Sequence, residues 1–114
     1  MALGDSITPI FAPIAAATNG DNTLVAAVTG KKIRVLAMCL VAGANGNVYF
    51  TSDPSGTVIF GGSTNKMALG NTGGFVLPYS GVGWFETTAG TALIMNASSV
   101  GPFSGGLVYV TVPT

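Results

Sequence analysis

Short apolar runs, each closed by glycine, proline, asparagine or aspartate, follow one another along this chain at intervals of roughly ten residues. The runs are rich in β-branched and aromatic residues, and none keeps a helical period long enough for a stable helix. Strands are predicted at residues 24–28, 33–41, 48–51, 57–60, 75–77, 84–87, 92–96 and 106–112. This rhythm predicts an all-β fold, an antiparallel β-sandwich or jelly roll of about eight strands.

Turn residues set the predicted connections between these strands. Asn45 and Gly46 tolerate positive φ, so they predict a tight hairpin between the second and third strands. Residues 53–56, with the sequence Asp-Pro-Ser-Gly, predict a reversal after the third strand. The polar, glycine-rich stretch 63–74 is predicted as a loop, with residues 67–69 as its apolar anchor.

The N-terminal segment 1–17 carries Pro9 and Pro13, which remove ladder donors and confine it to an extended arm or an edge strand. We expect an extended arm over residues 1–17 and a single sandwich domain over 18–114. An arm of this kind could reach a neighbouring subunit. The alternative is that residues 1–17 fold back and cover one sheet of their own chain. The segment lacks the basic region of a secretory signal peptide.

The chemistry available to the chain is limited by its composition. Of 114 residues only 7% are charged and none is histidine, so the commonest general base and zinc ligand are missing. Cys39 is a lone cysteine in an apolar run and is predicted to be a buried, inert thiol. Glu86 is the one carboxylate within a predicted strand, and we expect it to pair with a cation such as Arg34. No catalytic residue, metal site or cofactor is predicted.

Nucleic acid and membrane partners are also disfavoured. Four lysines and arginines are too few for a phosphate-neutralising surface, and the formal net charge is zero. The apolar run 35–42 is far shorter than the roughly 20 residues that a membrane-spanning helix needs.

The strand 33–41 is apolar on both faces. With regular alternation one face carries Ile33, Val35, Ala37, Cys39 and Val41, and the other carries Arg34, Leu36, Met38 and Leu40. An antiparallel sheet with two apolar faces needs a cover, and in a short chain without helices a second copy supplies it. The predicted subunit-interface residues are Leu36, Met38, Leu40, Trp84 and Tyr109.

Three blocks of the sequence carry a resemblance to a known class of proteins. They are VTGKKIRVL at 28–36, GWFETTAGTAL at 83–93 and GGLVYV at 105–110. Together they resemble the small jelly-roll decoration, or cement, proteins of tailed bacteriophages. The likeness covers residues 24 to 112 and implies no catalytic residue.

This resemblance implies a structural virion protein on the outer surface of the capsid. Such a protein forms homotrimers and binds the major capsid protein, bridging its subunits and stabilising the head. The shell contacts expected in this chain are Pro9, Phe11, Pro13, Lys31, Lys32 and Arg34. Similar β-domains also occur in phage fibres, so the alternative function is a receptor- or glycan-binding knob that uses Tyr79 and Trp84. Tyr79 and Trp84 are otherwise expected in the core or in a subunit interface.

Overall fold

Over residues 8–64, 66–99 and 101–113, which the computed structural model describes, ten strands form two antiparallel sheets packed as a β-sandwich. The predicted all-β sandwich is therefore confirmed. None of these residues belongs to a helix that could span a lipid bilayer. The strands are β1 (Ile10–Ala16), β2 (Gly20–Val25), β3 (Lys31–Ala42), β4 (Gly46–Ser52), β5 (Thr57–Phe60), β6 (Met67–Leu69), β7 (Gly74–Leu77), β8 (Phe85–Glu86), β9 (Leu93–Ala97) and β10 (Phe103–Pro113).

The two sheets have the same arrangement of strands. In sheet I the order is β1-β10-β3-β7, with β8 also paired to β3. In sheet II the order is β2-β9-β4-β5, with β6 also paired to β4. The chain alternates between the sheets over its first four strands, and β10 finally enters sheet I between β1 and β3.

The hydrophobic core lies between the sheets and contains aromatic rings from both of them. Phe50 and Phe60 of sheet II and Phe85 of sheet I form a cluster. The Phe60 and Phe85 rings are stacked with their centroids 4.6 Å apart, and Phe50 lies 5.5 Å from Phe85. Burial of such rings dominates the energetics of a small core. The largest fully buried side chains include Phe50, Phe103, Ile33, Leu40, Leu93, Met95 and Leu107.

A β-bulge in β3 changes which residues face this core. Opposite β10, Tyr109 pairs with Val35 and the adjacent Val108 pairs with Ala37, so Leu36 is an extra residue. The core-facing positions therefore switch from Ile33 and Val35 to Met38, Leu40 and Ala42, all of which belong to the core cluster. Regular alternation along 33–41 was the wrong expectation, because one inserted residue exchanges the two faces of a strand.

The N-terminal segment joins the sandwich as far as the structure describes it. Strand β1 pairs with β10 along its whole length and forms one edge of sheet I. Ile14 and Ala16 are buried in the core. Of the two predicted alternatives, residues 10–16 form the edge strand and not an arm that leaves the domain. An edge position suits Pro13, since an edge strand can lack a ladder donor. Residues 1–7 lie outside the described part of the chain.

Two predicted connections differ from the structure. The hairpin at Asn45 and Gly46 is wrong, because β3 lies in sheet I and β4 in sheet II. Residues 43–45 cross between the sheets, and the Asn45 side chain accepts a hydrogen bond from Asn71 N at 2.7 Å. Residues 67–69, predicted as a loop anchor, form β6 against β4. The predicted reversal at 53–56 is confirmed, with Gly56 N donating to Asp53 O at 3.0 Å.

Candidate interaction surface

The outer face of sheet II is polar. Asp21, Asn96 and Tyr49 form one row across β2, β9 and β4. The Asn96 amide donates to Asp21 Oδ1 at 2.8 Å, and Ser55 N donates to Asp21 Oδ2 at 3.0 Å. Lys66 Nζ lies 5.7 Å from the centre of the Tyr49 ring. The next row, Thr23-Ile94-Thr51, has two hydroxyl side chains beside the buried Ile94, so the outer face of sheet II is mainly polar, as is usual in an antiparallel sandwich.

The outer face of sheet I is apolar over the half beyond the bulge. Strand register places its outward residues in three rows, none of which contains a charged side chain. The rows are Phe11-Val108-Ala37, Pro13-Gly106-Cys39-Val76 and Ala15-Ser104-Val41-Gly74. Contiguous apolar surface of this kind marks an interaction site in a folded chain.

A groove of about 330 Å³ runs over this face. Its floor consists of the small residues Ala37, Cys39 and Gly106. A Cβ on Gly106 would come within 2.6 Å of the Phe11 ring, so the ring rests against bare backbone. The exposed fraction is 67% for Phe11 on one wall and 67% for Val76 on the other. Two large apolar side chains are therefore displayed beside a trough of small ones.

Cys39 is exposed in this groove. The predicted burial of its thiol is wrong, because the bulge at Leu36 turns Cys39 to the outside of the sheet. The same shift places Met38 and Leu40 in the core between the sheets, whereas Leu36 is buried outside that core. Of the roles predicted for strand 33–41, these three side chains contribute to packing within the chain, and the surface of β3 beyond the bulge belongs to Ala37, Cys39 and Val41.

The loop 78–84 continues the apolar surface beyond the groove. Its backbone is fixed by hydrogen bonds from Ser80 N to Leu36 O at 2.9 Å and from Trp84 N to Val35 O at 2.8 Å. The Trp84 indole donates to Pro78 O at 2.8 Å. Tyr79 and Val82 remain 66% and 83% exposed. The loop therefore presents apolar side chains to solvent from a conformation that is already ordered.

This loop also covers the other end of the outer face. Leu36 and Val110 are buried but do not belong to the core cluster between the sheets. Gly83 lies against the Arg34 side chain, since a Cβ at Gly83 would be 2.6 Å from Arg34 Cγ. Arg34 and Val110 are cross-strand partners. We infer that the loop 78–84 of the same chain covers this end of the outer face of sheet I and leaves only the groove end open.

In the described strands of sheet I, charged residues occur only at the covered end. Arg34 Nε donates to Glu86 Oε1 at 2.8 Å, and Lys32 Nζ contacts Glu86 Oε2 at 3.4 Å. The predicted pairing of Glu86 with Arg34 is confirmed. The hydrogen bond from Arg34, helped by Lys32, holds the pKa of Glu86 below its ordinary value. Lys32 and Arg34, two of the predicted shell contacts, are thus engaged within their own chain.

The remaining predicted site residues occupy different parts of the surface. Pro9 and Pro13 are exposed at the β1 edge, and Lys31 begins β3 at the end of sheet I that carries Lys32, Arg34 and Glu86. Tyr109 packs partly against the core and Trp84 is partly exposed. Sequence reasoning missed Val76 and Gly106 as parts of a site. The signal that could have found them is that small or apolar residues lie opposite one another on neighbouring strands. This is apparent only once the register is known.

Hydroxyl groups near β4 hydrogen-bond to one another. The buried Ser52 hydroxyl contacts the Thr88 hydroxyl at 3.0 Å and also that of Thr91. Thr87 Oγ1 accepts a hydrogen bond from Ile33 N at 2.9 Å. Within the described residues, no group of three or more histidine, cysteine or acidic side chains could hold a metal ion. Comparison of the chain with protein-family models, curated proteins and solved structures found no match.

Proposed function

We propose that the protein is a structural component of a tailed-phage virion, a decoration protein that binds the outer surface of the head and stabilises the shell. The observation that carries this proposal is the uncharged, apolar open half of the outer face of sheet I, in a chain whose other sheet has a mainly polar outer face. A face of this kind suits a protein that works by association.

The strand order supports a jelly-roll assignment. Strands β5 and β6 both pair with β4, and β7 and β8 both pair with β3. Each of these two sets is counted as one position in its sheet. Eight positions then remain, in the orders β1-β10-β3-β7/β8 and β2-β9-β4-β5/β6. Two four-position sheets of this type are the architecture that recurs in viral capsid domains.

The proposed division of labour separates association between copies from binding to the shell. Copies of the chain associate through apolar surface. The exposed Pro9 and Pro13 at the β1 edge and Lys31 at the end of β3 contact the major capsid protein. Lys32 and Arg34 belong to the same region, and their pairing with Glu86 orders them for such a contact.

Binding to heads that lack the protein tests this function. Purified protein is titrated against undecorated heads, and the bound fraction is measured by co-sedimentation. A decoration protein saturates at a fixed number of copies per head. Absence of binding, or binding that rises without saturation, would contradict the proposal. Lys31→Glu is expected to weaken this binding, whereas the matched variant Lys66→Glu, on the sheet II side, is expected to leave it unchanged.

The second candidate function is a glycan-binding knob, and the exposure of Tyr79 and Trp84 on one ordered loop favours it. Sugar recognition also needs polar side chains that fix the hydroxyl groups of the ligand. The loop 78–84 contains no acidic or amide side chain, and the Trp84 indole N–H is already donated to Pro78. Specific signals on a glycan array, lost in Tyr79→Ala, would favour the knob over decoration.

A further inference from the structure

We propose that the groove on the outer face of sheet I is filled by a second copy of this chain, so that Phe11, Cys39 and Val76 lie in a subunit interface. The inference rests on the proposed function, in which copies associate, and it assigns the surface through which they do so. It also assigns Phe11 to contact between copies, whereas the sequence predicted a contact with the shell.

The size of the apolar surface fits an interface between copies. An aromatic side chain offers roughly 150–250 Å², and Phe11 and Tyr79 are each about two-thirds exposed. With Val76, Val82 and the exposed part of Trp84, the exposed apolar side chains of the groove and the loop present roughly 500 Å². A stable interface uses about 800 Å² of each partner. The groove and the loop 78–84 therefore supply more than half of that area as apolar surface alone.

The shape of the face is self-complementary. Large side chains stand on both walls, and the floor between them is formed by Ala37, Cys39 and Gly106. A ridge beside a trough on one surface allows a second copy to place its ridge in the first copy's trough. Stacked sheets pack at about 10 Å when their side chains interdigitate in this way.

The distribution of charge also favours a second copy over a partner with a charged surface. None of the groove-lining side chains is charged. A charged partner surface would lose its hydration here without gaining a counter-ion, at a cost of several kcal/mol per ion. The same face on a second copy brings no such charge. Lys32, Arg34 and Glu86 lie at the other end of the sheet, beyond the covering loop, and stay solvated.

The thiol of Cys39 provides a natural probe of this contact. It lies in the floor of the groove and is exposed in the single chain. Its rate of reaction with a soluble disulfide reagent is measured in the wild-type protein from low micromolar to near-millimolar concentration. Sedimentation velocity is run on the same samples.

The variant Val76→Asp supplies the reference for an open groove. Val76 is exposed on the edge strand β7, so the substitution leaves the core intact and places a charge in the groove. Val28→Asp, at an exposed valine outside the groove and the loop 78–84, is the matched control.

The expected result is a Cys39 reaction rate that falls at least about tenfold as wild-type concentration rises. Val76→Asp sediments as a monomer and its Cys39 rate does not change with concentration, while Val28→Asp behaves like the wild type. The proposal is overturned if the wild-type Cys39 rate is also independent of concentration, or if wild type and Val76→Asp sediment as the same species.

Head binding keeps this inference separate from the proposed function. Saturable binding to heads by a protein whose Cys39 stays reactive at all concentrations would refute the interface and leave the decoration function standing. Protection of Cys39 in a protein that never binds heads would support the interface and refute the function.

Discussion

At the scale of single residues, Glu86 takes part in both ion pairs found in the described part of the chain. It lies opposite Arg34 in the β3–β8 pair and also contacts Lys32. All three side chains are about one-third exposed, so solvent screens the interaction. A partly exposed network of this kind contributes up to about 1 kcal/mol to the free energy of unfolding.

Replacing Glu86 with glutamine is expected to lower the free energy of unfolding by up to about 1 kcal/mol at neutral pH. Because the pKa of Glu86 is lower in the folded state, the ionised carboxylate stabilises the fold above its ordinary pKa of 4.5. This contribution is lost as the pH falls through the folded-state pKa. Urea unfolding of wild type and variant should therefore show a difference at pH 7 that disappears in acid. A difference that persists at the lowest pH would contradict the assignment.

Gly83 is expected to be the glycine of the loop 78–84 that tolerates substitution least. It has a φ of 89°, and a Cβ there would meet the Arg34 side chain. Gly83→Ala should destabilise the protein by about 1–2 kcal/mol. Gly81→Ala is the matched control, because Gly81 has open space around it and no positive φ, and it should change stability by less than about 0.5 kcal/mol. Equal effects of the two variants in thermal unfolding would argue against the ordered loop.

At the scale of elements, strand β3 decides which side chains are available for association. Its bulge at Leu36 places Ile33 and Met38, five positions apart, in the same core. In a regular strand these two positions would lie on opposite faces. The exposed thiol of Cys39 and the groove floor both follow from this single inserted residue.

Alanine substitutions test the bulge directly. Ile33→Ala and Met38→Ala should each cost about 2–5 kcal/mol, because both remove buried side chains. Cys39→Ser, on the outer face, should change stability by less than about 0.5 kcal/mol. Urea denaturation of the three variants provides the comparison. A small cost for Met38→Ala combined with a large one for Cys39→Ser would restore regular alternation and contradict the structure.

Strand β1 is expected to be needed for folding as well as for contacts. Ile14 is buried, so Ile14→Ala should cost about 2–4 kcal/mol. Phe11→Ala, at an exposed position of the same strand, should cost less than about 1 kcal/mol and weaken association instead. Denaturant unfolding together with sedimentation separates the two effects. A deletion through residue 17 would remove this strand, so point substitutions are the proper test of its contacts.

Local chemistry in the sequence was sufficient for some elements and insufficient for others. The reversal at 53–56 and the pairing of Arg34 with Glu86 follow from turn residues and from opposite charges, so they were predicted. The bulge at Leu36 and the crossing at Asn45 depend on strands more than twenty residues away. Register and sheet membership are non-local, and one slipped residue reverses every face. For that reason the sequence could predict that a sheet has an apolar outer face, but not which residues form the groove.

At the scale of the whole molecule, the few charged residues are distributed unevenly. The polar outer face of sheet II keeps the chain hydrated, while the open half of sheet I carries no charge. The uncharged surface is thereby concentrated on the open half of sheet I. A protein that remained alone in solution would gain little from such a surface, whereas a component of an assembly buries it.

The position of the protein on an intact particle tests the proposed function most directly. The proposed function assigns this chain to a tailed-phage particle; such particles, with and without the protein, are imaged by electron cryomicroscopy, and density of the size and outline of the sandwich is sought on them. A decoration protein appears at regular positions on the outer surface of the head lattice. Density found only at the tail or fibres, with none on the head, would contradict that function and favour the glycan-binding knob.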